Sequence, residues 1–297
     1  LMPSAADLWD AAIGTEGEER VQRLTNLAEA LWATGETQDS LAVFAELAAQ
    51  IRQTSTTSRW LAQLWLNALK LRELNDYETS NEVLEEGIAP ATAVHDDRNL
   101  GLMRHIRARN MFDQELLEYA KVEFERALEL HESCGEALMK ARAKSELATT
   151  LERLGSNLRA LTLRFEALRG FELSGEVDEV AEENQAIGTI HQKMDAHYAA
   201  ISYLEDAMYG WKFLGCDAEF QETLRLLGVS LRMENRLTDA EKVLQQAIGM
   251  KSGREQQQEA ALSTLELSEV LQAQGKFDEA EALRAEADAL LRATGLR

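Results

Sequence analysis

The residues best suited to catalysis or metal binding are few and scattered in this chain of 297 residues. The five histidines are His95, His105, His131, His191 and His197, and no two of them are three or four residues apart. Zinc sites place His or Cys ligands at such short spacings. No phosphate-binding glycine loop, nucleophile elbow or distinct carboxylate pair stands out among the 52 acidic residues. The sequence therefore predicts no catalytic residue, no metal site and no cofactor, and we expect a protein that is not an enzyme.

Small residues recur at a period of 40 along most of the chain. One ladder reads Ser40, Ser80, Ala120, Ala160, Ala200, Ala240 and Ala280. A second ladder reads Ala28, Ala68, Ala108, Ala148, Gly188, Gly228 and Ser268, and a third reads Leu47, Gly87, Ala127, Ala167, Ala207, Ala247 and Ala287. Small residues at a fixed period indicate helix backbones that approach closely. Turns are predicted near residues 35, 75, 115, 155, 195, 235 and 275.

The most complete unit, residues 265–291, carries Ser268, Gly275, Phe277, Ala280 and Ala287. This pattern resembles the tetratricopeptide repeat (TPR), in a long variant of 40 residues. The resemblance implies an all-α fold, a right-handed α-α superhelical solenoid of about seven TPR-like helical hairpins. We expect residues 1–18 to form an N-terminal capping helix and residues 19–297 to form the array.

The second repeat contains two residues that helices usually avoid. Gly87 and Pro90 fall within its second helix, which should begin near Tyr77. Proline removes a backbone hydrogen bond and its ring clashes with the preceding turn. We therefore expect this helix to bend or end early, between Glu86 and Val94.

The charge and composition of the chain restrict the kinds of molecule that we expect it to bind. The net charge of -21 and the pI near 4.7 argue against nucleic-acid binding, which needs an excess of Lys and Arg. No apolar run approaches the roughly 18 residues of a membrane span, and no signal peptide is visible. The two cysteines, Cys134 and Cys216, are predicted to be free thiols. These features predict a cytoplasmic protein without membrane or nucleic-acid partners.

The resemblance also implies where a ligand would bind, because in TPR proteins the first helix of each pair lines the concave face. The positions that match by register are Arg72, His105, Arg109, Arg142, Arg153, Lys193, Arg225 and Arg232, with Thr25, Glu29, Trp32 and Trp65 at the N-terminal end. A basic groove in an acidic body predicts binding of an extended acidic segment or of the C-terminus of a partner protein. In the alternative, these cations pair with neighbouring carboxylates such as Glu73, Glu152, Glu182 and Glu222, and the groove is roughly neutral.

Repeats of this length resemble those of kinesin light chain, of cell-polarity adaptors and of bacterial peptide-sensing regulators, which bind peptides or protein segments. We therefore predict a scaffold or adaptor that binds a protein or peptide. One alternative is a homodimer or other homo-oligomer without a peptide ligand. Another is the ligand-sensing domain of a larger bacterial regulator. A site on the convex face or at the array ends would use exposed aromatic residues, and Trp9 and Trp211 are the candidates.

Overall fold

The computed structural model describes residues 8, 11, 12, 14–250 and 253–294. These residues form fourteen α-helices and contain no strand, which confirms the predicted all-α fold. The protein divides into two compact units, Leu1–Leu154 and Gly155–Arg297. None of the described helices combines the length and apolar character that crossing a membrane requires.

The helices of the first unit are α1 (Gly17–Thr34), α2 (Thr37–Thr54), α3 (Thr57–Glu73), α4 (Tyr77–Ala93), α5 (Asp97–Asp113), α6 (Leu117–Ser133) and α7 (Ala137–Arg153). Those of the second unit are α8 (Asn157–Ser174), α9 (Val177–Lys193), α10 (His197–Leu214), α11 (Asp217–Met233), α12 (Leu237–Gly249), α13 (Arg254–Ala273) and α14 (Phe277–Thr294). Odd-numbered helices are the first members of successive pairs, and we call them first helices. Their starts recur every 40 residues from Gly17 to Asp217, whereas α13 begins three residues ahead of this register.

The ladders of small residues lie at helix contacts. Their alanine and serine members are 0–6% exposed, so each occupies a site without room for a larger side chain. Ser40 Oγ donates a hydrogen bond to the Ala28 carbonyl at 2.7 Å across the first pair. At Gly228, a Cβ atom would lie 2.6 Å from Cγ of Leu244 on the facing helix. The period in the sequence therefore reflects close approach of helix backbones within pairs such as α1–α2 and α11–α12.

Each predicted turn is built around a residue with a left-handed backbone. The residues with positive φ at these turns are Gly35, Asn75, Glu115, Gly155, Asp195, Asn235 and Gly275. Asn and Asp tolerate this conformation better than other residues with a side chain. Glu115 has no such tolerance, yet it holds a φ of 63° because the helices on both sides fix the turn.

The proline-containing helix ends at Ala93, within the predicted interval from Glu86 to Val94, but Pro90 does not shorten it relative to other repeats. α4 runs through Pro90 to Ala93, which is the position at which α6 ends one repeat later. Pro90 lies in the last turn, and Glu86, whose carbonyl loses its donor, is on the exposed side of the helix. Water can satisfy that carbonyl, so the cost of proline is lower than in a buried helix centre. A Cβ atom at Gly87 would lie 2.5 Å from the terminal methyl carbon of Met103, so the Met103 side chain would have to move to accept it.

Most of the predicted N-terminal capping helix lies outside the described residues. Ala12 is buried in the hydrophobic core of the first unit, and Leu8 packs against the same core. The Ala11 carbonyl accepts a hydrogen bond from the guanidinium of Arg23 on α1.

The second unit contains a buried ion pair at a core position. Arg164 on α8 donates to a Glu183 oxygen on α9 at 2.8 Å, and both side chains are at most 6% exposed. Five of the six other repeats place an apolar residue at this position, as Leu84 and Leu204 do, and the last repeat has Arg284.

One buried amide bridges the end of a short helix and the start of the next. Nε2 of Gln221, which has two hydrogens to donate, lies 2.8 to 3.0 Å from the carbonyl oxygens of Ala247, Met250 and Gln256. These carbonyls lie around the end of α12, which has only 13 residues, and the start of α13.

Candidate functional site

The first helices of the first unit carry a cavity of about 190 Å³. Its polar lining consists of Arg72 on α3, Arg109 and Asp113 on α5, and Glu146 and Thr149 on α7. The rings of Phe112 and Phe124 supply the apolar part of the lining. The cavity therefore contains two of the cations that the sequence predicted as ligand contacts, together with two carboxylates.

Arg72 is held firmly in place. Its guanidinium lies 2.6 Å from a carboxylate oxygen of Asp113, and it donates to the Asn110 side-chain oxygen at 3.2 Å. Its side chain is 17% exposed. An arginine with two partners on the neighbouring first helix positions that helix, and it has little freedom to contact a ligand.

His105 is buried and does not face the solvent. Its Nε2 lies 2.9 Å from a Glu146 oxygen, and its ring packs edge-on against Phe124 at a centroid distance of 5.6 Å. The ring of His131 on α6 is 5.7 Å away, and its Nδ1 lies 3.3 Å from a Glu136 oxygen. His105 therefore orients Glu146 from inside the protein.

The pKa values of His131 and Glu146 are each set by opposing influences. Burial lowers the pKa of His131, the positive charge of a protonated His105 lowers it further, and Glu136 opposes both effects. Burial would raise the pKa of Glu146, but its hydrogen bond with His105 and the charges of His105, Arg109 and Arg72 hold that pKa below its usual value. Glu146 is thus ionised at neutral pH and already has a partner in His105.

Arg109 is the most loosely held cation of this cavity. Its Nε lies 3.5 Å from the second Glu146 oxygen, which is beyond a normal hydrogen bond, and its side chain is 43% exposed. A neighbouring cation, Arg153, pairs with Glu115 and lies 5.1 Å from the centre of the Phe112 ring. Arg142 lies on an exposed part of α7.

In the second unit, the predicted cations also face carboxylates of the following first helix. Arg225 pairs with Glu259, and Arg232 Nη2 lies 3.4 Å from a Glu266 oxygen. Lys193 is the exposed last residue of α9. These ion pairs favour the alternative in which carboxylates neutralise the cations of the predicted groove. Most of these carboxylates are not the ones that the sequence suggested.

The predicted tryptophans have different surroundings. Trp32 on α1 lines a second cavity of the first unit, together with Thr25 and Glu29, and Lys70 Nζ lies 4.4 Å from its ring centre. Trp65 packs against the core and donates its Nε1 hydrogen to Asn99 at 3.0 Å. Trp211 is only 8% exposed and donates to Gln185, so the expectation that it is exposed is wrong. Trp9 lies outside the described residues.

The carboxylates that neutralise the cations were not recognised from the sequence. They are Asp113, Glu115, Glu146, Glu259 and Glu266. A usable signal was present for four of these five carboxylates, because each lies on the next first helix, about one repeat after its base, whereas Glu115 lies in a turn and precedes Arg153. Both pairs of the second unit are separated by 34 residues, and His105 precedes Glu146 by 41.

Among the described residues, one group of three side chains is close enough to share a metal ion. It consists of Glu176, Asp178 and Glu179, whose carboxylates lie within 4.8 Å of one another around the start of α9. Acidic residues in a first helical turn are favoured by the helix dipole without any ion.

Solved structures resemble this protein at low sequence identity. A STAND ATPase with a tetratricopeptide repeat sensor from Pyrococcus horikoshii matches 96% of this chain with a TM-score of 0.78 and 13% identity. The apo quorum sensor NprR from B. thuringiensis matches 97% with a TM-score of 0.63 and 13% identity, and a Rap protein complexed with competence and sporulation factor matches 99% with 0.56 and 14%. The fold is that of TPR-like helical repeat proteins.

The fraction of each known protein that is covered by the match varies widely. The match covers 43% of the STAND protein, 80% of NprR and 82% of the Rap protein. No protein-family model matches the sequence, and no curated protein sequence matches it.

Proposed function

We propose that this chain is a binding protein, an adaptor or sensor of the long-repeat TPR type, and that its first helices bind an extended acidic segment of a peptide or protein partner. The contact that anchors the segment is Arg109, at the cavity of the first unit. Arg153, Arg225 and Arg232 are each paired with a carboxylate, so we expect them to contribute less to the affinity than Arg109 does.

The observation that carries this proposal is the partner arrangement of Arg109. Its guanidinium is half exposed and only weakly paired with Glu146, while Glu146 keeps a 2.9 Å contact with His105. A ligand carboxylate can therefore replace Glu146 at Arg109 without leaving a buried charge unpaired. At Arg72 the same exchange would break a shorter ion pair, 2.6 Å from Asp113, and the hydrogen bond to Asn110 holds the guanidinium in its present position.

Two of the similar structures support a peptide ligand. NprR is described as a quorum sensor, and the Rap protein is complexed with competence and sporulation factor. The likeness to the STAND protein, which has a tetratricopeptide repeat sensor, supports the alternative that this chain senses a ligand within a larger regulator. In either case the repeats bind and do not catalyse.

The test compares two labelled peptides by fluorescence anisotropy, one rich in Asp and Glu and one with Asn and Gln in their places. We expect the acidic peptide alone to bind, with affinity that falls as salt screens the charges. Arg109→Glu should weaken it about tenfold or more, because a charge-assisted hydrogen bond contributes about 1.5 to 3 kcal/mol.

Arg52→Glu is the matched control for this charge reversal. Arg52 lies on a second helix, α2, with a side chain 60% exposed, and its replacement changes the net charge equally. The control should bind the acidic peptide like the parent. The proposal would be refuted if Arg109→Glu bound the acidic peptide as tightly as the parent does. It would also be refuted if both variants lost the same affinity, because the peptide would then respond to the net charge of the protein and not to Arg109.

Self-association is a second candidate, favoured by exposed apolar side chains of the second unit. Leu173 on α8 is 82% exposed, and Tyr209 and Phe213 on α10 are 65% and 82% exposed. Large exposed apolar residues of this kind often belong to protein interfaces. Light scattering across a range of concentrations tests this candidate. A dimer that Phe213→Glu dissociates would support it, and a monomer at all concentrations would exclude it.

A further inference from the structure

The second cavity of the first unit lies between α1 and α3 and has a volume of about 370 Å³. Its floor is formed by Phe44 and Leu47 of α2, and its walls include Trp32, Leu66 and Leu69. Ligand pockets in proteins have volumes of roughly 300 to 1,000 Å³. This cavity therefore suits one long side chain with its neighbouring backbone.

The charged residues that line this cavity favour a cation. Glu29 and Glu73 contribute two carboxylates, and Lys70 is the single cationic residue of the lining. The Lys70 ammonium lies 3.2 and 3.3 Å from the two Glu73 oxygens and 4.4 Å from the centre of the Trp32 ring. An ammonium between a carboxylate and an indole face is the arrangement with which proteins also hold cationic ligands.

We propose that this cavity is a binding site for a Lys or Arg side chain of a partner segment, and that Lys70 is an internal occupant which the ligand displaces. The ligand's ammonium or guanidinium lies over Trp32 and pairs with Glu73 and Glu29. Its hydrocarbon stem, and an apolar residue beside it in the segment, pack against Leu66 and Leu69.

Displacing Lys70 from the cavity costs little free energy. Its ion pair with Glu73 joins residues three apart on one helix, and the Glu73 side chain is 52% exposed, so the pair is weak. The Lys70 side chain is flexible, and its ammonium regains water when it swings out. Once Lys70 has left, Glu29 and Glu73 face the ligand without an opposing charge in the lining.

This inference goes beyond the proposed function, because it concerns a separate cavity and a ligand group of opposite charge. The two cavities are neighbours on α3, where Glu73 lines one and Arg72 lines the other. A single segment that occupied both would carry a basic residue with an apolar neighbour on one side and an acidic stretch on the other.

The test uses two acetylated and amidated hexapeptides that contain Leu and Phe around a central residue, which is Lys in one and Glu in the other. Their affinities for the protein are measured by NMR titration, with the indole resonance of Trp32 as the local readout and the backbone amides of α1 and α3 as the readout for a variant without Trp32. We expect the Lys peptide to bind and to shift that resonance, and the Glu peptide to do neither. Equal binding of the two peptides would overturn the inference.

Variants then separate a cation site from an apolar depression. Trp32→Leu should weaken the Lys peptide about two- to fivefold through loss of the cation–π contact, and Glu73→Gln, at an exposed position, should weaken it without affecting folding. Lys70→Met should strengthen it about threefold or more, because the internal competitor is gone. Unchanged or weaker binding by Lys70→Met would refute the displacement.

Arg109→Glu distinguishes this site from the acidic-segment site. It should leave the affinity for the Lys peptide unchanged, since Arg109 does not line this cavity. If the Lys peptide fails to bind while the acidic peptide binds through Arg109, only this inference is wrong. If the acidic peptide fails and the Lys peptide binds, only the proposed function is wrong.

Discussion

Replacing Glu183 by Gln should strongly destabilise the second unit. Arg164 and Glu183 form an ion pair 2.8 Å long, and their side chains are 6% and 1% exposed. Glu183→Gln keeps the shape of the side chain but removes the negative charge, so the buried guanidinium loses this ionic partner. Breaking a buried pair in this way costs about 3 to 5 kcal/mol, whereas exposed pairs contribute about 0 to 1 kcal/mol. We therefore expect a loss of about 3 kcal/mol or more.

The protein itself supplies the control. Eighty residues before Arg164 and Glu183, the equivalent positions hold Leu84 and Met103, both 0% exposed. The double variant Arg164→Leu, Glu183→Met copies that apolar pair into the second unit. Replacing a buried ion pair by apolar residues of similar volume is often neutral or stabilising by about 1 to 4 kcal/mol. The double variant should therefore be at least as stable as the parent.

Urea unfolding followed by circular dichroism measures the free energies. Because repeat arrays can unfold in parts, hydrogen exchange of α8 and α9 must show that the change lies in the second unit. The reasoning would be refuted by a cost below about 1 kcal/mol for Glu183→Gln, or by a double variant less stable than the single one.

Three further predictions concern packing, pH and the shortened helix. Gly228→Ala should cost about 1 to 3 kcal/mol in thermal or urea unfolding, because its Cβ meets Leu244, whereas Gly249→Ala, with open space around it, should cost little. The pKa of His131 is lowered on folding, so the unfolded protein binds the proton more tightly. Stability should hold above about pH 6.5 and fall as the pH drops below it, and His131→Gln should flatten that dependence in urea titrations. Gln221→Ala should increase hydrogen exchange at the end of α12 and the start of α13, since the amide that bridges the carbonyls of these two segments is lost; unchanged exchange would contradict the role given to this side chain.

Much of the fold could be read from residue types because close helix contacts restrict them directly. A position such as Ala28 or Gly228 admits only a small side chain whichever residues surround it, so the period survives in the sequence. Pro90 shows the limit of such local rules. Its cost depends on whether the carbonyl that loses its donor can reach water, and only the packing of α4 decides this.

The amino-acid sequence by itself determined the helical class, the 40-residue period and the identity of the cations on the first helices. The tertiary structure decided which of those cations have carboxylate partners. Arg109 and Arg72 look alike in the sequence, but the crossing of neighbouring helices places Asp113 2.6 Å from Arg72 and leaves Arg109 3.5 Å from Glu146. A difference of about 1 Å separates a fixed ion pair from a cation that can change partners, because 3.5 Å lies beyond the normal length of a hydrogen bond and 2.6 Å does not. Such distances depend on side chains about 40 residues apart, and no local pattern contains them.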